Sequence, residues 1–369
     1  MVTLKEIAER CEVSPTTVSN VINGKAKTSE ETRQKILQVI DETGYKPNII
    51  AKGLRLKSSK TIAIIAEDLA QFTSPPIIES IMETCEKKGY RVVVHNLRLY
   101  DRWQDKWYNR HSDYNSVINP VINDILSAQT DGVIYVAGHA RIIKTFNDDF
   151  ELPLVMCYAY SESPDIPSVV IDDEKSAYDM VSFLIKNGHR RIGFVGGRID
   201  NLHTTKRLMG YQKAMFENGI LFDPNLVYYG DWSRSAGYEG TKTLIKQDVT
   251  ALFGLSDRMT GGIYDYLCEN GIIIGKDISV ASFDNENISD YFRPRLTTME
   301  LPLREIGRKT SEILLNNLEN MNSEDAEVSS DNVLEPAKEK TSDKTELHEN
   351  VEVIKVPCRM IVRDSIARL

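Results

Sequence analysis

Apolar positions in the first forty-five residues recur at helical spacing in three short blocks. The first, Leu4–Arg10, is joined by a tight turn to a second, Ser14–Asn23, which opens with Ser14 at an N-cap and Pro15 at the first helical position. Val18, Val21 and Ile22 make the buried stripe of that second block and leave Thr16, Thr17 and Asn20 facing outward. A third block, Ser29–Thr43, has Thr28 or Ser29 as cap, Glu31 or Thr32 at its third position and Ile36, Val39 and Ile40 as its apolar face, and it ends at Gly44. A helix with so firm a start can be aimed. The pair reads as a helix-turn-helix with residues 14–23 as the recognition helix, whose short polar groups suit phosphates and base edges.

From Thr61 the pattern changes to apolar strand runs alternating with helices. Strands are predicted over 61–67, 91–97, 132–137, 153–158, 168–172, 191–196, 251–256 and 277–283, with helices beginning near Pro75, Val117, Lys175, Thr204, Ala236 and Met259. Such alternation implies an α/β fold with doubly wound parallel sheets, and the length suggests two units with a cleft between them. Binding sites in these sheets lie beyond the carboxyl ends of the strands. The stretch Leu99–Tyr114 follows strand 91–97 and is unusually aromatic. Either Trp103, Trp107, Tyr108 and Tyr114 add stacking subsites for a longer ligand, or the stretch is a packed lid or dimer contact.

Charge sharpens this division. The chain of 369 residues carries a formal net charge of -9, yet residues 1–60 hold eleven Lys or Arg against seven Asp or Glu. Residues 319–350 hold ten acids against three bases. The basic surplus at the amino end suits a phosphate backbone. The stretch 320–350, poor in aromatics and rich in Ser, Glu, Asp and Lys, is expected to be a disordered insertion between a helix at 303–318 and a closing strand at Val351–Val362. The five cysteines form no CxxC or Cys/His cluster and read as buried or neutral thiols. No metal site or cofactor motif is found, and no run reaches the length of a membrane span. A soluble cytoplasmic protein is expected.

At the amino end the residues carry a definite resemblance. Val2-Thr3-Leu4-Lys5-Glu6-Ile7-Ala8, the run Val13–Ser19, Glu30-Glu31-Thr32-Arg33 and Gly44-Tyr45-Lys46-Pro47-Asn48 together resemble the head of the LacI/GalR family of bacterial transcription regulators. The resemblance implies a DNA-binding head at 1–46, a hinge helix or linker at 47–59, and an effector-binding and dimerisation core at 60–369 like the periplasmic sugar-binding proteins. It places chain crossovers near 158–168, near 284–298 and at the last strands. DNA contacts are implied for Thr3, Ser14, Pro15, Thr16, Thr17, Ser19, Asn20, Asn23, Tyr45, Asn48 and Ala51. Leu54 would be a wedge that enters the minor groove and kinks the duplex. Two residues depart from the family's pattern. Glu12 stands in a turn that usually holds Gly or Asn and needs positive φ, and Asn20 stands where Arg or His is common and favours adenine.

The resemblance also assigns the cleft. Arg207, three positions before Gly210, offers a planar fork for two neighbouring hydroxyls, and Asp284 would complement it across the ligand. Ser256 would bond a hydroxyl while Asp257 caps the following helix, and Trp232 would form an aromatic wall. Asp68, Phe72, Tyr158 and Asp173 fall near pocket positions by looser alignment. The expected function is a transcriptional regulator, a repressor of carbohydrate-utilisation genes, acting as a homodimer on an operator with two-fold symmetry under a mono- or oligosaccharide effector. The alternative is a regulator of the same family answering to a purine or to a phosphocarrier protein. No nucleophile and base with credible spacing argues for an enzyme.

Overall fold

A computed structural model describes residues 2–22, 24, 28–45, 58–104, 111–146, 150–330 and 353–369. The chain divides into two compact units, Met1–Lys60 and Thr61–Leu369. Asn23, Asn48, Ala51, Leu54, most of the expected hinge at 47–59, Trp107, Tyr108 and the rest of the acidic stretch from 331 to 350 lie outside the described residues.

The first unit holds three helices, α1 (Leu4–Cys11), α2 (Pro15–Ile22) and α3 (Glu30–Thr43). Thr3 and Glu6 close a capping box on α1: the Glu6 amide donates to Thr3 Oγ1 at 3.2 Å and the Thr3 amide to Glu6 Oε2 at 2.8 Å. Glu12 ends that helix in the left-handed region with φ 58°, as the turn demands. Ser14 Oγ accepts from the Thr17 amide at 3.1 Å, which starts α2 where Pro15 permits it. Ser29, not Thr28, caps α3, and Gly44 at φ 59° stops it. Ile7, Ala8, Cys11, Val18, Val21 and Ile36 form a small buried core.

The second unit contains two six-stranded sheets. The first half runs β1 (Thr61–Ala66), α4 (Ser74–Lys87), β2 (Arg91–Asn96), α5 (Leu99–Trp103), α6 (His111–Ser127), β3 (Gly132–Val136), β4 (Ile142–Ile143), β5 (Leu154–Cys157), β6 (Tyr160–Ser161) and β7 (Ser168–Ile171). There follow α7 (Asp173–Lys186), β8 (Ile192–Gly196), α8 (Leu202–Glu217), β9 (Val227–Tyr229), α9 (Arg234–Leu244), β10 (Ala251–Gly254), α10 (Asp257–Glu269), β11 (Ser279–Asp284) and β12 (Thr297–Glu300). Last come α11 (Leu303–Ser330), β13 (Val353–Val356) and β14 (Arg359–Ile361). The sheet orders are β13-β7-β5-β3-β1-β2 and β14-β12-β11-β10-β8-β9, parallel except where β14 runs against β12. Strands such as β1, buried on both faces, need the continuous apolar runs the sequence supplies.

Several expectations are corrected. The segments 158–168 and 284–298 stay within their own sheets, and the chain crosses through α7 and again between β12 and α11. The last strand region is two strands, β13 in the first sheet and β14 in the second, so the crossing expected at the last strands occurs at Pro357–Cys358. Residues 320–330, expected in the insertion, continue α11, where Glu, Met and Ala favour helix. Helix α6 begins six residues before Val117. Cys11, Cys85, Cys157 and Cys358 are buried and Cys268 is exposed, all as free thiols. Burial pushes Cys85 up to about 11 and Cys157 and Cys358 to about 12. Among the described residues no helix is long and apolar enough to cross a membrane, and no group of His, Cys, Asp and Glu could hold a metal.

Candidate functional site

In the first unit the outward face of α2 presents Pro15, Thr16 and Asn20 exposed, with Thr17 and Ser19 half-buried, against a buried Val18 and Val21 and a half-buried Ile22. Ser14 and Thr17 bond to one another through their hydroxyls at 2.9 Å, so both are partly used in shaping the helix start. Thr3 is likewise held in the capping box of α1, and Tyr45 packs against the small core. The α2 amino end and the α1 amino end are the surfaces on which polar groups converge. Backbone amides at helix starts suit anionic oxygen.

In the second unit the buried charge lies at the carboxyl ends of the strands. Asp173, at the first position of α7 and 2% exposed, accepts Arg207 Nε at 2.7 Å on one oxygen and His203 Nδ1 at 2.8 Å on the other. His203 and Arg207 are four apart on α8, hence on one face. Arg207 Nη1 donates to the Leu255 carbonyl at 2.7 Å, and its guanidinium lies 3.8 Å from the centroid of the Phe283 ring. His203 Nε2 faces the Ala140 amide at 3.0 Å. An amide can only donate, so Nε2 is the acceptor and the proton sits on Nδ1, pointing at Asp173. Burial alone would raise the Asp173 carboxyl; His203 and Arg207 hold it below the usual carboxylate range.

Of the other expected residues, Tyr158 and Asp284 lie near this cluster. Tyr158, in the left-handed region at φ 64°, is buried with its ring centroid 5.4 Å from that of His203. Trp232, also left-handed at φ 69°, lies so close to Gly197 that a Cβ there would stand 2.1 Å from the indole. Its Nε1 is buried without a partner, as is Thr204 Oγ1 on α8. Arg207 Nε is bonded to Asp173, while Asp284, expected across the ligand from Arg207, lies near enough that the guanidinium and the carboxyl act on one another through their charges. Burial, then the neighbouring Asp257, push the Asp284 carboxyl well above the usual range. Asp257 does not cap α10: Ser256 does, accepting the Met259 amide at 3.2 Å, because its extended backbone swings the hydroxyl over the helix start. Asp257 is buried instead, accepting from the Glu286 amide at 2.8 Å and Thr298 Oγ1 at 3.0 Å, and burial pushes it up to about 7. Asp68 accepts the Ala70 and Tyr100 amides at 2.9 and 3.2 Å, so its oxygens hold a turn. Phe72 is 41% exposed.

The sequence reading missed the opposite wall. Glu67, 1% exposed at the end of β1, accepts Arg141 Nε at 2.9 Å, Arg141 Nη2 at 2.6 Å, Tyr135 Oη at 2.7 Å and the Gly138 amide at 2.8 Å. Tyr114 extends this network, its hydroxyl 2.8 Å from that of Tyr135 and its ring under Arg141. Tyr114 is therefore buried structure and no stacking subsite, and Trp103 packs half-buried against the neighbouring apolar cluster. The signal for this wall was present: a carboxylate directly after the apolar run Thr61–Ala66. Between the walls, burial pushes His139 down to about 3, with His203, Arg141 and Arg207 adding to the effect. A depression of about 450 Å³ lies elsewhere, at the amino ends of β5 and β7, and is lined by apolar and acidic residues such as Pro153, Asp165 and Ile166.

Comparison with known proteins agrees with this architecture. Residues 3–48 match the family model for bacterial regulatory proteins of the lacI family, and residues 181–338 match a periplasmic binding protein-like domain. The catabolite control protein A of Priestia megaterium is 29% identical, over 85% of this chain and 91% of its own length. The repressor PurR of Vibrio atlanticus is 27% identical over 88% and 94%, and the repressor CytR of Escherichia coli 28% over 86% and 90%. Among solved structures, the Lac repressor dimer bound to operator and the anti-inducer ONPF superposes with a TM-score of 0.72 at 22% identity, covering 99% of each chain. A complex of the transcriptional regulator CelR with cellobiose gives 0.60 at 22% identity, over 99% of this chain and 100% of that one.

Proposed function

The chain belongs to the LacI family of bacterial regulatory proteins, and from that premise we propose that it is a cytoplasmic transcriptional repressor whose hold on DNA is set by a neutral sugar in the cleft of its second unit. Two copies would bind an operator of two-fold symmetry, each through α2, with Thr16, Thr17, Ser19, Asn20 and Asn23 toward base edges and backbone. Thr3, Ser14, Pro15, Tyr45, Asn48 and Ala51 would hold the backbone, and Leu54 would wedge the minor groove. The protein binds and releases; it performs no reaction.

The observation that carries the ligand class is the neutrality of the buried charge. Glu67 is matched by Arg141 and Asp173 by Arg207, and burial drives Asp257 and Asp284 toward their protonated forms. Among the described residues the cluster thus offers donors and acceptors whose charge is paired or reduced, and the unpartnered Trp232 Nε1 and Thr204 Oγ1 add two more. A neutral polyhydroxylated ring satisfies such groups at little electrostatic cost. Arg207, Trp232, Tyr158, Ser256, Asp173, Asp284 and Phe72 are the residues proposed to meet it, and Asp68 supports from behind. The second reading is a flat purine base stacked on an aromatic such as Trp232, or a phosphocarrier protein in place of a small molecule.

A thermal-shift screen of the full chain separates the two. Neutral mono- and disaccharides, sugar phosphates, hypoxanthine and guanine are compared at equal concentration, in wild type and in Arg207→Lys. A sugar at a hundred times its Kd stabilises by about 2.7 kcal/mol, and the shift should vanish in the variant, whose ammonium lacks the planar fork. Stabilisation by a nucleobase alone would replace the sugar reading with the second one.

A further inference from the structure

We propose that His203 is a positioning residue that latches the two halves of the second unit to one another and ties that latch to the ligand cluster. The proposal rests on the cleft being the ligand site. His203 belongs to α8, which follows β8 of the second sheet, while Ala140 follows β3 of the first. The 3.0 Å bond from the Ala140 amide to Nε2 therefore joins backbone of one half to a side chain of the other. Tyr158, which follows β5 of the first sheet, lays its ring against the same imidazole. One side chain thus meets the first half twice.

The imidazole is held from its other edge. Asp173 takes the Nδ1 proton with one oxygen and Arg207 Nε with the other. His203, Asp173 and Arg207 are 4%, 2% and 2% exposed, so little water competes for these bonds. A ligand that draws Arg207 or Asp173 toward itself must move the ring that grips Ala140. The tautomer links the two bonds: Nε2 accepts from Ala140 only while the ring proton is on Nδ1, the form that Asp173 favours by accepting it. Arrival of ligand at the cluster is in this way passed to the first half through the Ala140 bond and the Tyr158 ring.

Hydrogen–deuterium exchange of the full chain without any ligand tests this. In wild type the Ala140 amide should be protected. Asparagine at 203 can still donate to Asp173 but has no atom at the position of Nε2, whereas glutamine places an amide oxygen near it. Exchange at Ala140 in His203→Asn should rise about tenfold, the scale of one lost hydrogen bond, and His203→Gln should recover part of that protection. The neighbouring Gly138 amide, held by Glu67, serves as an internal control that should not change. Unprotected Ala140 in wild type, or equal exchange in wild type and His203→Asn, would overturn the latch. Because no ligand enters the measurement, a cleft that binds no sugar in the thermal screen leaves this result standing, and a failed latch leaves the screen standing.

Discussion

In the head the residues offered for recognition stand outside an apolar core of six side chains, whereas in the cleft the residues offered for a ligand are themselves buried charges. Thr16 and Asn20 are exposed and make no part of the packing; Arg207 and Asp173 are sealed and hold their surroundings together. Function and stability are separable on the outer face of α2 and fused in the second unit. A residue of the α2 outer face can change with little effect on folding. A residue of the cleft cannot, because a buried charge left unpaired is expensive.

The largest effect should come from breaking that fusion. Arg207→Ala leaves Asp173 buried without its cation, and denaturant unfolding should show the second unit destabilised by about 3–5 kcal/mol with the head unaffected. Next is the converse. Ile36→Ala removes a fully buried side chain of the head and should cost about 2–5 kcal/mol, on the order of the whole stability of a unit that small. Calorimetry should then show the head transition lost, the core transition unchanged and DNA binding abolished.

The pH response sharpens the contrast further. His139 is held neutral in the folded state and pushed down to about 3, while an unfolded histidine titrates near 6.5. The unfolded chain therefore binds the extra proton first, so His139 lowers stability as pH falls from about 6.5 toward 3. Asp257 acts with the opposite sign. Its folded form keeps a proton up to about 7, so its contribution is present below the ordinary carboxylate value and lost as pH rises toward 7. Between pH 5 and 7 the two oppose one another, so the denaturation midpoint of the second unit at pH 5, relative to that at pH 7, should be higher in His139→Gln than in wild type. The head midpoint should not move with that substitution.

The smallest effects belong to the head's helix ends. Ser14→Ala removes the cap of α2 and should cost about 1 kcal/mol. Glu12→Gly relieves a side chain at φ 58° and should gain about 0.5–1 kcal/mol. Both are read from the head's own melting transition.

The head was almost fully legible because each of its signals is local. Ser14, Pro15, Ser29 and Gly44 announce helix ends within three or four residues of the bonds they make, and even the strained Glu12 turn could be placed beforehand. The strands of the second unit were legible for a similar reason, since apolar runs buried on both faces are continuous. What escaped was pairing between distant elements. Nothing near Arg207 says that it is bonded to Asp173, thirty-four residues earlier. Asp68 and Ser256 also accept from backbone amides, a second use set by local backbone angles that the residue type does not encode. Glu67 and Arg141 were passed over because a charged residue after a strand looks like any solvated loop until its burial is seen.

On the proposed function the second unit, by taking a sugar at Arg207, alters the grip of the first unit on DNA. The most direct test is the Kd of the full chain for duplexes selected by the protein from a random pool, with and without the sugar that most raises its melting temperature. Wild type should change its Kd by about 5–150-fold, the range of a typical coupling. Arg207→Lys should keep the Kd measured without sugar and lose the change. A sugar that binds but leaves the DNA Kd where it was, or a shift of equal size in the variant, would contradict the account.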